Sequence, residues 1–94
     1  MADQSLADRL RAAMNEARKQ RDQARTLLLS TILSDVKNRE LELKHPPSDE
    51  ETADVLRRGI KKRRESVEVY EKVGRTEAAA TERAEITALR PISL

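Results

Sequence analysis

Six basic side chains fall within eight positions of this chain: Arg57, Arg58, Lys61, Lys62, Arg63 and Arg64. The chemistry such a run can do is electrostatic, because guanidinium and ammonium groups at one-turn spacing can contact successive phosphates. At about 100° per residue, Arg57, Lys61 and Arg64 share one flank of a helix, with Arg58 and Lys62 behind them. The same residues fit a plainer description. Asp54 and Arg58, Lys61 and Glu65, Arg64 and Glu68, and Glu68 and Lys72 are opposite charges four positions apart. Each such pair contributes about 0.2–0.5 kcal/mol to a helix, and on the residues alone a solvated, self-paired face is the favoured reading.

Arg63 differs from its neighbours, since it lies in the apolar stripe between Ile60 and Val67. A charge there is costly unless its stem packs on the core with the head reaching out, or it pairs with an acid of another helix. Glu40 and Glu85 are the candidate acids, and a structural role is favoured. The remaining side chains offer no reaction. His45 has no cysteine or second histidine to join it, and it stands beside Pro46-Pro47. Neither a metal site nor a nucleophile–base pair can be assembled around it. Most acids have a basic neighbour one turn away, and Gly59 and Gly74 make no phosphate loop. The sequence therefore assigns no catalytic residue, no metal and no cofactor. Tyr70 is the sole aromatic side chain apart from His45, and the helix phase turns it toward the core. Single-strand recognition by stacking is thereby disfavoured, and any RNA partner should be folded RNA read through backbone and shape.

Four helices must position these groups, at about 5–18, 21–44, 48–73 and 76–90. Ser5 can cap the first, with Asp8 as a weak capping-box partner. Leu6, Leu10, Ala13, Met14 and Ala17 follow at helical spacing. The polar run 18–22 fits either a turn or continuous helix, with a break near Gln20 preferred. Leu29, Ile32, Val36 and Leu43 form the seam of the second helix, interrupted by Arg39 and widened by Leu28 and Leu33. Pro46-Pro47 end it. Ser48 and Glu51 form a full capping box for the third helix, whose stripe is Leu56, Ile60, Val67 and Tyr70 and whose stop is Gly74. Pro91 is expected to stop the fourth. No strand-like alternation appears, so the expected fold is all-α, a four-helix bundle-like single domain with two long central helices.

Composition agrees with a small soluble module. The 94 residues are 38% charged and 1% aromatic, with a net charge of +2 too small to argue for nucleic acid by itself. The longest aliphatic run is Leu27-Leu28-Leu29, and there is no cysteine, so no membrane span and a cytoplasmic location are expected. A core built almost wholly from Leu, Ile and Val at this length is marginal, and a partner could add to it.

Three blocks are similar to one family. RTLLLSTILSDVKNRELEL (25–43), KKRRESVEVYEKVGR (61–75) and ERAEITAL (82–89) keep its order and spacing. The pattern is an aliphatic helix ending in Lys-Asn-x-Glu, a basic pair followed by Ser, then Tyr or Phe, Glu, Lys and a Gly-Arg turn. On these blocks the chain resembles the GatB/YqeY family. The resemblance implies an all-helical module like the N-terminal half of the small YqeY-like proteins. A related region forms the tail of the B subunit of the glutamine-dependent amidotransferases, carbon–nitrogen ligases that convert misacylated Glu-tRNA or Asp-tRNA. It implies a non-catalytic role in holding tRNA, for which the residues themselves offer Arg57, Arg58, Lys61, Lys62 and Arg64 as contacts, with Arg63, Tyr70 and Gly74 structural. The implied partners are tRNA and subunits of an amidotransferase or an aminoacyl-tRNA synthetase. Family members continue with a Leu-Pro segment and a smaller helical C-terminal domain, whereas here Pro91 runs into Ile92-Ser93-Leu94. The expectation is that this domain is absent, with an uncovered apolar face favouring a homo-oligomer. A protein-interaction or assembly module without an RNA role is the alternative expectation.

Overall fold

The computed structural model of the protein describes residues 4–93. Among them the protein is all-α, as the sequence predicts, with four helices: α1 (Leu6–Lys19), α2 (Gln23–Leu43), α3 (Asp49–Lys72) and α4 (Thr76–Ser93). The chain divides into two compact units, Met1–Val55 and Leu56–Leu94, and the division falls inside α3.

In the first unit α1 packs on α2. Leu6, Leu10 and Ala17 of α1 and Leu28, Leu29, Ile32 and Val36 of α2 are buried, while Ala13, Met14 and Leu33 of the expected stripes are half-buried. Leu43, at the far end of the α2 seam, is only half-buried. Arg39, in the seam's one polar position, keeps its guanidinium toward solvent beside Glu42 at 3.6 Å. The start of α1 departs from the expected capping box. Ser5 Oγ accepts the Asp8 N–H at 3.1 Å, but the Asp8 carboxylate pairs with Arg11 at 3.0 Å. Aspartate is one methylene shorter than the glutamate such a box uses, so its reach back to the cap is poor. A distant residue satisfies a different donor of the first turn: Leu6 donates its N–H to Asp49 Oδ1, 2.9 Å away.

The turn between α1 and α2 is made by backbone geometry. The Asp22 N–H donates to the Ala17 carbonyl at 2.9 Å and the Arg21 N–H to the Arg18 carbonyl at 3.1 Å. Arg21 takes the left-handed position at φ 58. This is the Schellman pattern, here without the glycine that usually fills it. Asp22 then caps α2, its Oδ1 accepting the Arg25 N–H at 3.0 Å. Lys44, also left-handed at φ 63, closes α2 just before the prolines. Ser48 and Glu51 form the reciprocal capping box of α3: the Ser48 N–H reaches Glu51 Oε1 at 2.9 Å and the Glu51 N–H reaches Ser48 Oγ at 3.1 Å. The bond from the Ser48 backbone holds the Glu51 carboxyl below its ordinary value of 4.5, with smaller help from His45 and Arg39 against some desolvation. Thr52, buried, satisfies its hydroxyl by donating to the Ser48 carbonyl at 2.9 Å.

Among the described residues of the second unit the buried apolar side chains are Leu56, Ile60 and Val67 of α3 and Ala79, Ile86 and Leu89 of α4. Gly74, at φ 74, ends α3. The Arg75 N–H donates to the Tyr70 carbonyl at 2.8 Å and the Gly74 N–H to the Glu71 carbonyl at 3.2 Å, a second Schellman pattern. Pro91 corrects the sequence expectation, because α4 does not stop there but runs to Ser93. A proline withholds only its own N–H, so this close to the end of a helix one bond is lost and the final turn can still form.

Candidate nucleic-acid interface

Helix α3 is unbroken from Asp49 to Lys72, so its basic residues stand at helical angles. Arg57, Arg58, Lys61, Lys62 and Arg64 are all exposed. Their local pairing differs from the self-paired face favoured by sequence. Among the described residues, no ion pair joins Lys61 to Glu65, Arg64 to Glu68 or Glu68 to Lys72. Lys61, Lys62 and Arg64 make no ion pair or hydrogen bond there, whereas Arg57, Arg58 and Asp54 each have an interaction. The reason is quantitative. An exposed pair is worth roughly 0–1 kcal/mol, and holding two long side chains in one geometry costs a comparable amount of entropy.

Arg63 is turned the other way. Its side chain is 14% exposed, Nε donates to Glu85 Oε1 at 3.0 Å, and a terminal guanidinium nitrogen donates to the Gly59 carbonyl at 3.0 Å. Of the two acids in reach by sequence, the partner is Glu85 and not Glu40. Glu82 stands one turn before Glu85 on α4. Burial pushes the Glu82 carboxyl above its ordinary 4.5, the Glu85 charge and a hydrogen bond with Glu85 add to the rise, and Arg63 opposes it. A second ion pair, Glu71 to Arg83, ties α3 to α4 near the turn. Tyr70 is half-buried, with the Arg75 guanidinium over its ring at 5.3 Å. That contact joins the two positions which an apolar pair usually occupies in a Schellman turn.

Between α3 and α4 lies an open groove of about 370 Å³, lined by Arg64, Val67, Glu68, Arg83, Ile86, Thr87 and Arg90. Arg64 therefore belongs both to the basic flank of α3 and to this groove. Sequence reasoning missed the α4 wall, although Arg83, Thr87 and Arg90 sit at i, i+4 and i+7, the spacing of one helix face. His45 lies outside all of this, exposed, with Nδ1 2.9 Å from the Pro46 carbonyl. Among the described residues no group of His, Cys, Asp or Glu could hold a metal ion, and no helix is long and apolar enough to cross a membrane.

A family model described as Yqey-like protein matches residues 7–91, nearly the whole chain. The chain belongs to the YqeY-like family. For this YqeY-like chain, no curated protein matches closely enough to serve as a relative. The matched span takes in Arg57, Arg58, Lys61, Lys62 and Arg64 of α3 and both walls of the groove.

Proposed function

We propose that this YqeY-like chain is a non-catalytic, cytoplasmic helical module that supports tRNA binding or handling, in the setting of tRNA-dependent amidotransferases. The observation that carries the reading is the state of Lys61, Lys62 and Arg64: exposed on one helix, with no ion-pair partner among the described residues. Cations already neutralised by acids would have to break those pairs before meeting a phosphate, and these three would not. Arg57 and Arg58 extend the same ridge toward the start of the helix. With Tyr70 half-buried under Arg75, the ridge suits backbone and shape contacts with folded RNA, not base stacking.

The test is a tRNA titration at several salt concentrations, repeated with Arg57, Arg58, Lys61, Lys62 and Arg64 changed to Glu. If the three unpaired cations each meet one phosphate, affinity should fall roughly fortyfold between about 50 and 200 mM salt. The substituted chain should not bind. Unchanged affinity in the variant, or no binding by the wild type, rejects the ridge.

A second reading, an assembly module for other proteins, is favoured by the aliphatic side chains left in solvent. Leu27 and Leu41 of α2 are 70% and 64% exposed, and Val69 of α3 and Val73 just past its end are 58% and 63% exposed. Sedimentation decides this reading: a defined oligomer, or a defined complex with an amidotransferase or synthetase subunit, supports it, and a monomer that binds neither subunit removes it.

A further inference from the structure

The corner between α1 and α2 is basic in its own right. Residues 18–25 hold Arg18, Lys19, Arg21 and Arg25 against one acid, Asp22, whose carboxylate is committed to the cap of α2. An open cleft of about 460 Å³ lies there, lined by Arg18, Arg21, Gln23, Thr26, Leu27 and Ser30, with no acid in the lining. Among the described residues the side chains of Lys19, Arg21 and Arg25 make no ion pair or hydrogen bond, and neither do those of Gln23 and Ser30. Arg18 donates to the neutral Asn15 amide oxygen at 3.3 Å, which leaves its charge uncompensated. Arg21 also stands at φ 58, the left-handed position that such a turn ordinarily gives to glycine. Backbone strain of this kind collects where a side chain is needed for function. Lys44 is left-handed as well but lines no part of this cleft; at Arg21 the strain and the acid-free lining coincide.

Exposure selects the occupant. Thr26 is half-buried and the other lining residues are exposed, so an isolated anion would stay hydrated there. A linear polyanion needs no enclosure, because it gains affinity by releasing condensed counterions to a spread of cations. An acidic helix would need an aliphatic floor, and the one aliphatic lining residue, Leu27, is itself 70% exposed. No ring lines the cleft for base stacking, whereas the Gln23 amide and Ser30 hydroxyl suit a ribose 2′-hydroxyl. We propose that the α1–α2 corner is a second phosphate-contact site for folded RNA, with Arg18 and Arg21 each meeting a phosphate and Lys19 and Arg25 adding to the field. The inference rests on the tRNA reading but uses none of the ridge residues.

The tRNA titration, repeated with Arg18→Gln combined with Arg21→Gln, tests it. Binding should weaken about tenfold near 100 mM salt, and the slope of log affinity against log salt should flatten by roughly 1.8, two phosphates' worth. Arg21→Gly should melt at a higher temperature than the native chain and still bind tRNA less tightly, while Arg21→Lys keeps most of the affinity. Arg11→Gln, which removes a charge already paired with Asp8, should leave binding unchanged. If the ridge substitutions abolish binding and the double variant binds as the native chain does, the corner alone is overturned. If the native chain binds no tRNA, corner and ridge fall together. An equal loss in Arg11→Gln reduces the corner to net charge and overturns it as a site. Polyglutamate bound as tightly as tRNA, or inorganic phosphate moving the Arg21 Nε resonance as far as tRNA does, overturns the RNA backbone as the occupant.

Discussion

Replacing Asp49 by alanine removes the acceptor that closes the start of a helix 43 residues away in sequence. In the native chain Asp49 Oδ1 takes the Leu6 N–H at 2.9 Å in a partly buried setting. That donor belongs to the first turn of α1, where no intrahelical acceptor exists. A hydrogen bond to a charged group contributes about 1.5–3 kcal/mol net, and partial exposure places this one near the lower end. Asp49 also lies in the first turn of α3, where an acid adds about 0.3–1 kcal/mol through the helix dipole. Together these put the loss for Asp49→Ala at about 2 kcal/mol, or a urea midpoint lower by about 2 M for a small protein with an m-value near 1 kcal/mol per M. Glu50→Ala is the control, because Glu50 shares the first turn of α3 but caps nothing, and it should cost only about 0.5 kcal/mol. Asp49→Asn keeps an acceptor oxygen and should fall between them. Urea unfolding followed by circular dichroism measures all three, and hydrogen exchange at the Leu6 amide reads the bond directly. If Asp49→Ala costs no more than Glu50→Ala, and the Leu6 amide exchanges no faster, the reasoning is wrong.

The Arg63–Glu85 pair should show a coupling of about 1–2 kcal/mol in a double-mutant cycle with Arg63→Met and Glu85→Gln, since it lies between the exposed and the buried limits. A coupling indistinguishable from zero would make the contact incidental. Glu82 has a raised folded value, so its ionised form opposes folding above that value, and the penalty is relieved as pH falls toward the ordinary 4.5. Glu82→Gln should therefore stabilise the chain at neutral pH, with the gain shrinking in acid. Glu51 has the opposite sign. Its lowered value gives stability that is present above 4.5 and lost as pH falls through the folded value, so Glu51→Gln should flatten the acid limb of the stability profile. Gly74→Ala meets no atom within 4 Å, so its whole cost is the left-handed backbone, about 1 kcal/mol in a melting experiment. Arg21→Gly should act in reverse and stabilise by about 0.5–1 kcal/mol, since Arg21 bears that strain now.

What the sequence made legible was local. The Ser48–Glu51 box, the Gly74 stop and the apolar seams rest on spacings of three, four and seven residues, and those spacings are fixed by helix geometry. Pairings across the chain were visible only as alternatives: Glu40 and Glu85 were equally placed to receive Arg63, and only the packing of α3 with α4 chose between them. The Asp49 cap had no signal at all, because an aspartate in the first turn of α3 already has a sufficient local reason to be there. The charged flank was misjudged for a different reason. Opposite charges four apart can pair, but when exposed they gain so little that Lys61 and Arg64 have no ion-pair partner among the described residues. The groove had no signal in the sequence, because Arg83 and Arg90 come beside Arg64 only through the packing of α4 on α3.

Asp22 both closes α1 through its N–H and opens α2 through its carboxylate. The junction consequently has no spare length. One residue inserted between Gln20 and Asp22 would separate the two tasks and rotate α2 by about 100° relative to α1, carrying Leu28, Leu29, Ile32 and Val36 off the shared seam. Residues 45–47 carry no such double duty. If chains of this kind differ in length, the additions and losses should collect near the two prolines, and the α1–α2 corner should be inherited at fixed length.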